Sequence, residues 1–319
     1  MTREAAARVV ARPFFGLLAV LAYLLPARAL AKLAVGASGL VYRLFPRLRA
    51  SLLRNAAVIL GASATEGARE RLARGVLESF ARFLAELVAP SEESSRQDLR
   101  LETIGREHFE RAAAPGRGVI AVSLHMGNYE LASLELAALR PNVAVVYNRE
   151  RIAFLERIRS RRRQARTLEE IVIDRSPFFG IEALQKLKEG GMVLLAGDQV
   201  EARDGKRVEF LGQAASFSLW PARLSLASGA PILPSFNVRR PDGRCRLHLE
   251  PPIFPGDHAD PASILNSTVR VFERYVRDYP DQWLMIRPFW LSTAGGPGPA
   301  DAGVTKGADS RQDLGELFR

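Results

Sequence analysis

Cysteine is almost absent from this chain: Cys245 is the single thiol in 319 residues. One thiol excludes an internal disulfide and any metal site built from several cysteines. Histidine is scarce as well, and the four stand at 108, 125, 248 and 258, too scattered to show a zinc-ligand spacing. No Gly-x-Ser-x-Gly elbow occurs, which speaks against a serine esterase. No internal repeat is visible. Long apolar runs are also missing near the N-terminus. The uncharged stretch between Arg12 and Arg28 is 15 residues, short of the roughly 20 that comfortably span a bilayer.

Acidic residues are outnumbered, 35 against 45 basic ones, for a net charge of +10 and a pI near 10.3. Such a balance suits an anionic partner: membrane lipid, nucleic acid or an acidic carrier protein. Hydrophobic residues make up 47% and charged residues 25%, a globular composition, and the length allows one large α/β domain with a full core. The N-terminal uncharged stretch has three readings. It is a secretory signal, with Ala27-Arg-Ala29 or Ala29-Leu-Ala31 imitating a cleavage site, or a buried core helix, or a membrane-seated helix between flanking arginines. The amphipathic pattern continues past Pro26 through Leu30, Leu33, Leu40, Val41 and Leu44, which argues against cleavage there. Arg43, Arg47, Arg49 and Arg54, interleaved with leucines, extend a basic amphipathic face suited to anionic lipid headgroups.

A helix is expected over about 65–88, ended by Pro90 and a polar loop. Beyond it the pattern alternates. Strand candidates are 118–124, 143–147, 170–173, 192–196, 231–238 and 244–250; helices fit at 128–139, 151–166, 178–188, 218–228 and 262–279. This alternation predicts an α/β fold with a mixed, mostly parallel sheet flanked by helices. The expected organisation is membrane-associated helices over 1–60, an α/β domain over 61–293, and a disordered Gly/Pro-rich tail over 294–319.

Ligands of such sheets bind beyond the carboxyl ends of strands. The run Gly118-Val-Ile-Ala-Val-Ser-Leu124 delivers His125 to such an end, followed by Gly127, Asn128 and a helical pattern from Tyr129. On one regular helix His125 and Glu130 would point about 140° apart, so they meet only if His125 precedes the helix. Asn128 is a favoured N-cap and Gly127 permits the reversal. Glu130 then lies in the first turn, where the helix dipole keeps a carboxylate ionised. The expectation is that Glu130 orients His125 as a general base.

Two further groups stand out. Arg149, Arg151, Arg157, Arg159, Arg161, Arg162, Arg163 and Arg166 form an anion patch one βα unit away, although one helix cannot turn them all to one side. With Phe154 the only aromatic among them and no nucleic-acid module recognisable, a nucleic-acid site is not expected. Asp198 and Gln199 follow the apolar run 192–196, at another strand end.

His125-Met-Gly-Asn-Tyr-Glu-Leu131 resembles the His-Phe-Gly-Asn-Trp-Glu-Leu signature of the bacterial lipid A biosynthesis (lauroyl/myristoyl) acyltransferases, within the lysophospholipid acyltransferase superfamily. Ala196-Gly-Asp-Gln199 is similar to that family's Asp-Gln, and the stretches 210–234 and Tyr279-Pro-Asp-Gln-Trp283 resemble later blocks in the same order. The departures are Met126, Tyr129 and Asn148-Arg149, where a Tyr-Arg pair is usual. The resemblance implies a membrane-associated O-acyltransferase at the cytoplasmic face of the inner membrane. Its donor would be an acyl carrier protein or coenzyme A thioester, its acceptor a hydroxyl of a lipid A-type or other glycolipid or lysolipid, with no metal or resident cofactor. In that reading His125 and Glu130 are catalytic. Gly127 and Asn128 bind through backbone amides that hold the oxyanion, an arginine being the alternative. Arg149, Arg161, Arg162, Arg163, Asp198 and Gln199 bind substrate. Two rivals remain at this point: a non-catalytic lipid-binding protein on the same scaffold, and an exported lipid hydrolase.

Overall fold

A computed structural model describes residues 24–89, 101–140, 142–150, 152–174, 178–198 and 205–291. The first 23 residues, Gln199 and the 294–319 tail therefore lie outside the described residues. The described residues open with three helices, α1 (Ala27–Leu44), α2 (Pro46–Leu60) and α3 (Glu66–Val88). Pro46 separates the first two: lacking an N–H and clashing with the preceding turn, it can only begin a helix. The Thr65 side chain caps α3, accepting from Ala68 N at 3.2 Å. One side of α1 packs on α3 through Leu30 and Ala31, which share a core with Phe83, Leu87 and Leu284.

The remainder alternates as β1 (Glu102–Ile104), α4 (Arg106–Ala113), β2 (Val119–Ser123), α5 (Tyr129–Leu139), β3 (Val143–Tyr147), α6 (Ala153–Gln164), β4 (Glu169–Val172), α7 (Phe179–Lys188) and β5 (Met192–Ala196). A hairpin, β6 (Gly205–Phe210) and β7 (Gln213–Ser218), leads to α8 (Trp220–Ser228), β8 (Ile232–Arg239), β9 (Cys245–Leu249) and α9 (Pro261–Asp278). Seven strands form one sheet in the order β1-β9-β8-β2-β5-β3-β4, every neighbouring pair parallel except β8 with β9. The expected mixed, mostly parallel sheet flanked by helices is thus what the chain adopts.

Strand alternation fills both faces, as a parallel sheet requires. Val119 and Ala121 of β2 join Met192, Leu194 and Leu233 on one side. Ile120 and Val122 join Val193, Phe236 and Phe272 on the other. The hairpin carries no Asn-Gly signal; its turn is made by Leu211 and Gly212, both at positive φ (52° and 77°), the geometry of a tight two-residue loop.

After α9 the chain crosses the carboxyl end of β2. Gly127 N donates to Gln282 O at 2.8 Å, Leu284 N donates to His125 O at 2.8 Å, and Met126 bridges Trp283 in antiparallel fashion. Asn55 of α2 ties the same segment down, donating to the Met285 (2.9 Å) and Arg287 (2.6 Å) carbonyls and accepting from Phe289 N (3.2 Å).

Candidate active site

The central strand β2 ends one residue before the buried Leu124, and His125 follows in the turn. Met126 N reaches back to Leu124 O at 2.7 Å. Gly127 has φ 55°, and a Cβ there would lie 2.1 Å from the Asn237 carbonyl oxygen, so only glycine fits. Asn128 caps α5 as its sequence position suggests, its Oδ1 accepting from Leu131 N at 3.0 Å. The local chain reversal is therefore the expected one, and it lifts His125 off the helix.

The partner of the imidazole is Asp198. Its Oδ1 lies 2.7 Å from His125 Nδ1, and its Oδ2 accepts from His125 N at 3.1 Å and from Trp283 Nε1 at 2.8 Å. The strand pair explains the meeting: β5 runs parallel beside β2, and Gly197 N extends the ladder to Ser123 O at 2.7 Å, so Asp198 emerges beside His125. Burial pushes the Asp198 carboxyl up, but the His125 charge and the hydrogen bonds from His125 and Trp283 outweigh it and hold the group below its usual range. A carboxylate on Nδ1 requires the proton there, which leaves the base lone pair on Nε2.

Glu130 does not make that bond. Its buried carboxylate sits between two arginines one turn apart on α6, with Arg159 Nε and Arg163 Nη2 both at 2.7 Å. Burial raises its pKa, and the two guanidinium charges reverse the effect, taking it down to about 2. The dipole argument foresaw an ionised carboxylate; what it missed was that α6 lies closer than the imidazole.

The arginine run is split by helical periodicity. Arg159 and Arg163 point inward; Arg163 also pairs with Glu170 at 3.2 Å and lies 4.2 Å over the Tyr147 ring. Arg162 donates to the Glu86 (3.1 Å) and Ala89 (2.6 Å) carbonyls, closing the end of α3. Only Arg161 of the three consecutive arginines is exposed, on the same side as Arg157, and Arg149 is half-buried ahead of the helix. Arg162 and Arg163, both expected at the substrate, are thus each bonded within the protein. Asn128 Nδ2 likewise donates to Glu86 Oε2 at 2.9 Å, and Glu86 also takes Arg239 Nη2 at 2.6 Å. The Gly127 amide is used by Gln282, so it is not available to an oxyanion.

A narrow cleft opens beside His125. Phe80, Phe83, Leu84 and Leu87 of α3 give it an apolar wall with Leu155, Leu284 and Ile286, while Glu150, Arg159 and Arg287 add polar groups near the histidine. Tyr129 forms the floor between them, edge-on to the His125 ring at 4.8 Å and stacked on Phe83 at 4.7 Å. Gln282 and Trp283 are marked in the sequence only as part of the Tyr279–Trp283 block that resembles the family, with no role read for either side chain. Their importance comes from a crossing that only the fold reveals.

The site is thus a histidine held by a buried carboxylate at the lip of a largely apolar cleft, beyond the strand ends of an α/β sheet. The family model for bacterial lipid A biosynthesis acyltransferases matches residues 7–292, and the chain belongs to that family. It is similar to the phosphatidylinositol mannoside acyltransferases of Mycolicibacterium smegmatis (26% identical over 247 residues, 76% of this chain and 79% of that one) and Mycobacterium tuberculosis (26% over 223 residues, 68% and 69%). It is also similar to the lipid A biosynthesis palmitoleoyltransferase of Escherichia coli (27% over 187 residues, 57% and 58%). The protein is an acyltransferase of the lipid A or glycolipid type.

Proposed function

We propose that this acyltransferase moves a fatty acyl chain from a thioester of acyl carrier protein or coenzyme A to a sugar hydroxyl of a membrane glycolipid. His125 is the general base and Asp198 its orienting partner; Glu130 instead holds α6 in place. The observation that carries this reading is the 2.7 Å contact of His125 Nδ1 with the buried Asp198, next to an apolar cleft. The acceptor hydroxyl gives its proton to Nε2 as its oxygen attacks the thioester carbonyl, and collapse of the tetrahedral intermediate expels the thiolate. The thioester is already activated, so no covalent enzyme intermediate is needed. With the Gly127 amide engaged, Arg159 and Arg287, which line the cleft with His125, are the cations assigned to the developing oxyanion.

Glycolipid acceptors are favoured because the relatives are named as a phosphatidylinositol mannoside acyltransferase and a lipid A biosynthesis palmitoleoyltransferase. Among the described residues no helix is long and apolar enough to cross a membrane. The exposed leucines of α1, Leu33, Leu40 and Leu44, flanked by Arg28, Lys32 and Arg43, support a membrane seat at the surface instead. The inner side of α1 covers α3, the helix that walls the cleft, so a chain leaving the bilayer has a short path to His125. The test is direct: purified protein is given acyl carrier protein and coenzyme A thioesters with mannosylated or lipid A-type acceptors in mixed micelles, and products are weighed by mass spectrometry. The reading predicts one added acyl ester on the glycolipid. Thioester hydrolysis without an acylated acceptor would contradict it.

A further inference from the structure

Asp198 must do more than lie near His125; it must keep one oxygen on Nδ1 against rotation of its own carboxylate. Its side chain has no solvent exposure, so water supplies no donor. The second oxygen, Oδ2, takes the His125 peptide N–H and the Trp283 indole N–H. The first of these belongs to the residue being oriented and moves with it. Trp283 is the anchor that comes from another part of the chain. It is 1% exposed, and its ring is hemmed by Phe289 at 4.8 Å, Phe210 at 5.8 Å and Trp290 at 5.9 Å. Its neighbours Gln282 and Leu284 are bonded to the two sides of the His125 turn, and Gln282 grips β8 by a pair of bonds to Arg239 (2.6 and 2.8 Å). An indole N–H can only donate. A proton placed on Oδ2 would face that donor head-on, so exchange with the imidazole is confined to Oδ1.

We propose that Trp283 is a positioning residue for acyl transfer: its Nε1–H fixes Oδ2 of Asp198, which keeps Oδ1 on Nδ1 of His125 and the basic lone pair on Nε2. This rests on His125 acting as the base. The residue acts through Asp198 and need not touch substrate.

The test replaces Trp283 by benzothienylalanine, in which sulfur takes the place of the N–H and the ring keeps its shape; Trp283→Phe is the genetically simple companion. Ring-15N-labelled histidine gives two signals for each of the four histidines, and His125→Gln identifies the pair of interest. Wild-type protein should show neutral His125 as the Nδ1–H tautomer. The benzothienyl protein should show mixed tautomers, with kcat lowered about tenfold and KM changed by less than about twofold, as expected for a lost bond to a buried carboxylate. An unchanged tautomer in the benzothienyl protein would overturn the proposal whatever the rate, and so would mixed tautomers with wild-type kcat. The tautomer measurement needs no turnover. If wild-type protein transfers no acyl chain, the functional reading fails while this reading of Asp198 and Trp283 is still decided.

Discussion

Five positions separate His125 from Glu130 and 73 separate it from Asp198, yet the distant carboxylate is the one on the imidazole. The difference lies in where each side chain is aimed. Asp198 leaves a strand parallel to β2 and reaches the same sheet end, whereas Glu130 leaves the first turn of α5 toward α6. Glu130 has two guanidinium partners there, and the role proposed for it is stability. Removing its charge leaves Arg159 and Arg163 buried without their shared carboxylate, a change that commonly costs about 3–5 kcal/mol. Glu130→Gln should lower the unfolding free energy, read from denaturant titration, by that amount. The same pair sets an acid limit. The folded-state pKa of Glu130, about 2, lies below its ordinary value of 4.5. Its contribution is thus complete above pH 4.5 and lost as pH falls toward 2. Wild-type stability should drop across that window, and Glu130→Gln should lack that part of the drop. A variant as stable as wild type at pH 7 would contradict the assignment.

At the scale of elements, two helices carry testable surfaces. Along α1 the exposed Leu33, Leu40 and Leu44 lie on the side turned away from α3. Each leucine moved from water into an apolar phase is worth roughly 1.5–3 kcal/mol when fully buried. Leu33→Ser, Leu40→Ser and Leu44→Ser together should release the protein from anionic vesicles at high salt, where screening has already weakened the basic residues. Undiminished flotation of the triple variant would remove α1 from the membrane seat. On α6 the periodicity separates structural from surface arginines. Reversing Arg157 and Arg161 to glutamate should raise KM for an anionic thioester at low salt and leave Tm unchanged, while Arg163→Glu should unfold the protein. If the double reversal leaves KM unaltered across ionic strength, those two arginines are only solvated surface.

For the whole molecule, what local pattern could reveal was the alternation of strands and helices, the glycine turn, the Asn128 cap and the position of His125 at a strand end. Each depends on neighbours within a few residues. Even the Gly127 requirement was legible as a turn, though the close Asn237 carbonyl that enforces it was not. The partner of the base was not legible, because it depends on β5 lying next to β2, and proximity along the chain favoured Glu130. The arginine run was overread for a related reason: eight cations in sequence look like one patch, and only the packing of α6 shows Arg159 and Arg163 turned inward. The hairpin escaped notice because Leu211–Gly212 makes a turn usually announced by Asn-Gly. The segment from Gln282 to Phe289 closes the molecule, joining α2, β8 and the His125 turn through Asn55, Gln282 and Trp283.

The central claim is that His125, held by Asp198, is the base for acyl transfer, and single-turnover rates of wild type, His125→Ala and Asp198→Asn test it most directly. The assay uses purified protein, an acyl thioester and a glycolipid acceptor, with far-UV circular dichroism and vesicle binding as controls. Loss of general-base assistance is worth roughly 10²–10⁴-fold, so His125→Ala should fall by at least about 100-fold with both controls unchanged. Asp198→Asn should approach it, because an amide donating to Nδ1 favours the wrong tautomer. Retention of more than about a tenth of the wild-type rate by His125→Ala, well outside that range, would contradict the account.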